Sequence, residues 1–192
     1  MLISYYKQFV MLNLLILSSF GISNAMAETR VNTSRDMYAS QQIASARQMP
    51  VMIMFAAEEC PYCEILESEV LRPMLISGDY GGKVLIRKFM IDHEGKIRDF
   101  DGKMIDSSDF PGRYNVFVTP TLVFLGYDGR ELAEMIIGVN TLELFAGRVD
   151  DALLESLNTL RHTNLTYLEQ HQDISPADPS ATTTLSRAHV GD

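Results

Sequence analysis

The 192-residue chain has two cysteines, no tryptophan and few basic residues. Two cysteines are too few for a disulfide-dense scaffold. Lys and Arg total 16 against 25 Asp and Glu, a formal charge of -9. That balance lacks the basic footprint a nucleic-acid binder lays over phosphates, so no nucleic acid is expected as a partner. The 12 Gly and 7 Pro follow no period, which excludes a collagen-like chain. No apolar stretch after the N-terminus reaches the ~20 residues that span a bilayer. What remains is 46% hydrophobic and 21% charged, the composition of one globular domain with a tail.

The N-terminus reads as a secretory signal peptide over residues 1–27. Lys7 precedes a short apolar core, Phe9 to Leu17, and Ala25-Met26-Ala27 offers small residues where a signal peptidase cuts. An uncleaved anchor is the alternative, but the apolar run is short for a span, and Ser18, Ser19, Ser23 and Asn24 interrupt its continuation. The chain is therefore expected to be exported.

Hydrophobic spacing gives the order of elements. Residues 34–48 suit a helix capped by Ser34 and ended by Pro50. Val51 to Ala57 is a continuous apolar run, suited to a strand buried on both faces. Cys63, Leu66, Val70 and Met74 then line one face of a helix, with Glu64, Glu67 and Glu69 away from that stripe. Gly78 to Gly82 breaks it, and Val84 to Ile91 makes a second strand. Residues 92–112 read as a long polar loop with one helical turn. Thr121 to Leu125 and Leu132 to Ile137 form a hairpin across a turn in which Gly129 takes positive φ. A last helix begins after Asn140 or Thr141 and carries Leu142, Phe145, Val149, Leu153 and Leu160. Residues 172–192 hold too few apolar groups to offset ordering entropy and read as a disordered tail. The order predicts an α/β fold, a central mixed sheet of four to five strands flanked by helices.

Both cysteines lie in Cys60-Pro61-Tyr62-Cys63, between the first strand and a helix. The unpaired N–H groups of a helix start carry partial positive charge and favour a thiolate. Cys60, at the tip, is then the nucleophile. Cys63, one turn in, would attack a mixed disulfide at Cys60 and release the substrate. Pro61 fits a first turn, where its missing N–H is not needed. A structural disulfide would close too small a loop to restrain the unfolded chain much. A zinc half-site needs two more ligands, and the four His are scattered. Haem attachment needs His where Glu64 stands.

Over about residues 35–160 the sequence resembles the thioredoxin-like superfamily. Phe55-Ala56-Ala57-Glu58-Glu59-Cys60-Pro61-Tyr62-Cys63 looks like the family's strand-to-site segment, and Thr119-Pro120-Thr121-Leu122 like its cis-proline signature. Asp128-Gly129-Arg130-Glu131 matches the following hairpin. Within the family the chain is similar to exported proteins of the SoxW-like type, which share an insertion here spanning residues 93–115. The resemblance implies a thiol–disulfide oxidoreductase with no small cofactor, its redox centre being the Cys60–Cys63 pair. It implies that Thr119 and cis-Pro120 face Cys60 and that the Thr119 backbone pairs with an extended substrate. Pro61 and Tyr62 shape the same contact. It further implies a monomer in the periplasm of a Gram-negative bacterium, taking electrons from a membrane thiol donor and reducing a disulfide in an exported client. A disulfide-forming or isomerising protein is the alternative within this chemistry, and a thiolate-based copper or zinc carrier the one outside it.

Two positions depart from the family pattern. The buried acid six residues before the nucleophile is Met54, and the usual Trp before it is Glu59. Glu58 and Glu59 oppose a thiolate by charge, against the helix terminus. Lys88 either sits beneath the site and favours the thiolate or snorkels at a strand edge. The Met residues suit core filling better than copper binding, and Asp92-His93-Glu94 reads as a solvated loop rather than a metal site.

Overall fold

A computed structural model describes residues 29–172. The expected signal peptide at 1–27 and the expected tail at 172–192 lie outside the described residues, except Gln172, which is the last residue of a helix. Among the described residues no helix is long and apolar enough to cross a membrane.

The elements are helix α1 (Met37–Arg47), strand β1 (Val51–Ala56), helix α2 (Pro61–Leu66), a π-helical segment (Glu67–Leu71) and helix α3 (Arg72–Ser77). Strands β2 (Leu85–Met90), β3 (Lys96–Arg98) and β4 (Met104–Asp106) follow, then helix α4 (Asp109–Arg113), strands β5 (Thr121–Leu125) and β6 (Glu131–Ile137), and helix α5 (Leu142–Gln172). The main sheet has the order β2-β1-β5-β6. Strand β1 runs parallel to β2 and antiparallel to β5, and β6 returns antiparallel on β5. This is a mixed four-stranded sheet with helices on both faces.

Every residue of β1 and β5 is buried, as continuous apolar runs require in central strands. Alternation divides the side chains between two cores. Met52, Met54 and Ala56 join Cys63, Leu66, Val70, Phe145 and Val149 on one face. Val51, Ile53 and Phe55 join Met37, Phe89, Phe110 and Tyr114 on the other. Phe110 anchors that second core, with ring centroids 5.0 Å from Phe89, 5.7 Å from Phe55 and 5.4 Å from Tyr114.

Several expectations are corrected. Asp36, not Ser34, caps α1: its Oδ1 accepts from the Ala39 amide at 2.8 Å. Ser34 instead pairs its own amide with the Lys88 carbonyl, 2.9 Å, on the edge of β2. Helix α1 ends at Gln48 in the left-handed region, before Pro50 is reached. The helix after the cysteines is interrupted by the π segment, and Pro73 stands in the first turn of α3. Residues 92–112 hold the β3–β4 hairpin in place of the expected loop, and the expected helical turn is α4, which runs on to Arg113. Each of those strands has three residues, too few to show a period of two. Ile97 and Phe110 bury their side chains completely, so the insertion is part of the second core.

Gly129 has φ +79°, and a Cβ there would meet the Phe100 ring at 3.0 Å. The β5–β6 turn thus needs glycine both for its backbone and for the close approach of the insertion.

Candidate functional site

Strand β1 ends at Ala56 and delivers the chain to a short loop that opens α2. Asp92, following β2, fixes this loop: its Oδ2 accepts from the Glu58 amide at 2.6 Å. His93 Nε2 stands 3.1 Å from Glu58 Oε1. Glu59 then adopts φ +51°, a left-handed conformation uncommon for a residue with a side chain. The turn presents Cys60 as the N-cap of α2, with Pro61 in the first turn.

Cys60 and Cys63 form a disulfide. The Cys63 amide donates to Cys60 Sγ at 3.2 Å, so a helix-start N–H is aimed at the sulfur expected to attack. Cys63 is 5% exposed while Cys60 is only partly buried. One sulfur is thus open to a partner and the other lies behind it.

The start of β5 supplies the opposite wall. The Thr119–Pro120 peptide bond is cis. Thr119 Oγ1 donates to Cys60 Sγ at 3.5 Å, joining segments 59 residues apart. Gly138 donates its amide to the Pro120 carbonyl at 2.8 Å, tying this corner to the end of β6. Tyr62, between the two cysteines in sequence, and Phe117 and Val118, just before Thr119-Pro120, leave large apolar surfaces exposed, at 60%, 79% and 53%. Phe117 and Val118 are not marked by any motif of their own, and their position just before Thr119-Pro120 is the signal that could have found them.

Thioredoxin-like domain is the family that matches this chain, over residues 37–153. The chain belongs to that family. The match runs from α1 into α5 and includes both cysteines and Pro120. No curated protein matches the sequence. Among solved structures, one from work on the thiol-resolving mechanism in yeast mitochondrial 1-Cys peroxiredoxin via glutathione and thioredoxin systems aligns at TM-score 0.41 and 22% identity. That alignment covers 62% of this chain and 94% of the other.

Of the remaining sequence-derived site residues, Met54 is fully buried and lines a cavity of about 270 Å³ that also touches Cys60, Cys63, Lys88 and Met90. Lys88 is not a snorkelling edge residue. In the parallel register it stands opposite Met54, and residues 32–34 cover its edge of β2. Its Nζ lies 2.6 Å from Glu67 Oε2, with the two side chains 19% and 14% exposed. Glu67, expected to face away from the apolar stripe, therefore turns toward the site. Its place four residues after Cys63, one helical turn on, is the missed signal. Glu59 is exposed and lines the rim of the same cavity.

Among the described residues no group of three or more His, Cys, Asp or Glu is placed to hold a metal ion. Asp92 and His93 are engaged with the loop at Glu58. The arrangement is suited to two-electron thiol chemistry: an accessible sulfur at a helix start, a shielded partner one turn in, and an exposed strand end alongside.

Proposed function

We propose that this protein is an exported thiol–disulfide oxidoreductase that reduces disulfides in client proteins. The observation that carries the reading is the Cys60–Cys63 disulfide at a helix start, with Thr119 Oγ1 3.5 Å from Cys60 Sγ beside a cis-proline. In the reduced protein Cys60 attacks a client disulfide, and the helix-start N–H groups favour its thiolate. Thr119 offers its backbone to an extended client segment as a neighbouring strand. Cys63 then attacks Cys60, the client leaves reduced and the disulfide closes.

Export rests on the N-terminal pattern from Lys7 to Ala27, and the reducing direction on the SoxW-like resemblance. On this reading the protein works as a monomer in the periplasm of a Gram-negative bacterium, recharged by a membrane thiol donor and needing no small cofactor.

The test uses single-cysteine variants and an insulin-reduction assay. Cys60→Ser abolishes turnover. Cys63→Ser accumulates a mixed disulfide with the substrate through Cys60. Wild-type activity in both variants would end the catalytic reading. Stoichiometric copper or zinc that survives dialysis and is lost with Cys63→Ser would point instead to a metal carrier.

A further inference from the structure

Resolution of a mixed disulfide requires Cys63 to lose its thiol proton, because the thiolate is the attacking species. Cys63 is nearly enclosed, and Met54, which lines the same cavity as Cys63, accepts no proton. Four carboxylates line the cavity at the cysteines. Glu58, Glu59 and Glu64 are exposed, and Glu58 already faces His93. Glu67 is held inward from two sides: Lys88 Nζ contacts Oε2 at 2.6 Å, and the Val31 amide donates to Oε1 at 3.0 Å.

A second cavity of about 360 Å³ is also lined by Glu67, with Arg30, Glu64, Ser68 and Arg72. The two cavities share Arg30, Glu64 and Glu67. Glu67 thus lines both the space at the sulfurs and the neighbouring cavity. The cavity at the cysteines is lined by polar side chains, Glu67 and Lys88 among them, and is roomy enough for a bridging water. Each carboxylate oxygen has two lone pairs and can accept more than one hydrogen bond.

Resting on the oxidoreductase reading, we propose that Glu67 receives the Cys63 proton through water during resolution, held in place by Lys88 and the Val31 amide. The mixed disulfide joins Cys60 to the client sulfur. Cys63 gives its proton to Glu67, and the resulting thiolate attacks Cys60 Sγ. The Cys60–client bond breaks and its electron pair leaves on the client sulfur, which takes a proton from solvent. Glu67 returns its proton to solvent through the cavities it lines. The client disulfide gains two electrons and the Cys60–Cys63 pair loses two. The charged groups around Glu67 are Lys88 from β2, Arg30 from the N-terminal segment, Glu64 and Arg72 from its own helical stretch, and Glu58 and Glu59 from the loop.

Ellman's reagent separates the steps. Attack by Cys60 releases one coloured thiolate, and resolution by Cys63 releases a second. Glu67→Gln is expected to slow the second release about 10-fold or more at neutral pH, within the range of general base effects. The first release stays within about twofold, since the group acts after it. The deficit shrinks as pH approaches about 8.5, where a thiol ionises unaided. Glu67→Asp restores most of the rate. Equal slowing of both releases, or no slowing, overturns the proposal. Should Glu67→Gln fail to fold, the pH profile of the wild-type protein tests the same step independently. Its second release is nearly flat between pH 6 and 8 if a carboxylate takes the proton. A tenfold rise per pH unit contradicts it. Absence of the first release in wild type would instead sink the oxidoreductase reading itself.

Discussion

The two faces of the sheet differ in what they are filled with. One is aromatic: Phe55, Phe89, Phe110 and Tyr114 interlock with α1 and the β3–β4 insertion. The other is built mainly of Met, Leu, Val and Ile with two buried phenylalanines, Phe124 from β5 and Phe145 from α5, and it alone contains the cysteines, their cavity and the Glu67–Lys88 pair. Strand β1 serves both, sending Phe55 one way and Met54 the other. The contrast separates stability from chemistry. A dense aromatic core can be rigid and dry, whereas a site that moves protons needs polar groups and room for water. The fold places these demands on opposite sides of the same strand.

The largest effect expected from breaking this division is on the aromatic face. Phe110→Ala leaves a cavity among three rings and should cost about 3–5 kcal/mol in denaturant unfolding. The reduction potential of the cysteine pair should stay unchanged if the faces are separate. A shift in potential would mean that they are coupled.

Lys88→Met probes the other face. It removes a charged hydrogen-bond partner from a mostly buried Glu67, at an expected cost of about 1.5–3 kcal/mol by urea unfolding. It should also slow resolution of the mixed disulfide. A stability loss with no kinetic change would place the pair among the structural contacts only.

Tyr114 sharpens the comparison by pH. Burial pushes its phenol pKa up from the ordinary value of 10.0. Above pH ~10 the unfolded chain releases a proton that the folded chain retains, so stability falls as pH rises, by up to about 1.4 kcal/mol per pH unit. Below pH ~10 both states keep the proton and the group contributes no slope. Tyr114→Phe should remove this alkaline component, at some expense to stability through the lost hydrogen bond to the Gly129 carbonyl. An unchanged alkaline slope would assign it to other groups.

The smallest effect belongs to the rim. Glu59→Gln removes one exposed charge beside Cys60 and should raise its alkylation rate at pH 7 about twofold, the scale of an exposed charge interaction. Repeating the measurement in high salt should erase the difference.

Much of this arrangement is legible in the residues. The all-apolar runs of β1 and β5 announce central strands, and Cys60 and Cys63 mark the helix start between recognisable segments. The β3–β4 hairpin is not legible because three-residue strands leave no periodicity, and their alternation is lost among Asp, Gly and Lys. Glu67 is hidden for a different reason. A helical wheel assigns it to the polar side, but the chain at residues 31–34 and the β2 lysine close over it, and that is a tertiary event. Met54 signals only that the usual acid is missing. The replacement lies on another element.

The proposed chemistry depends most directly on the Cys60–Cys63 couple being a working dithiol poised to reduce. Its reduction potential can be measured by equilibration with glutathione buffers followed by thiol alkylation. The predicted result is one two-electron transition near about −270 mV, the range of thioredoxin. A value near about −120 mV, that of a strong disulfide-forming oxidant, would contradict the proposed direction of electron flow.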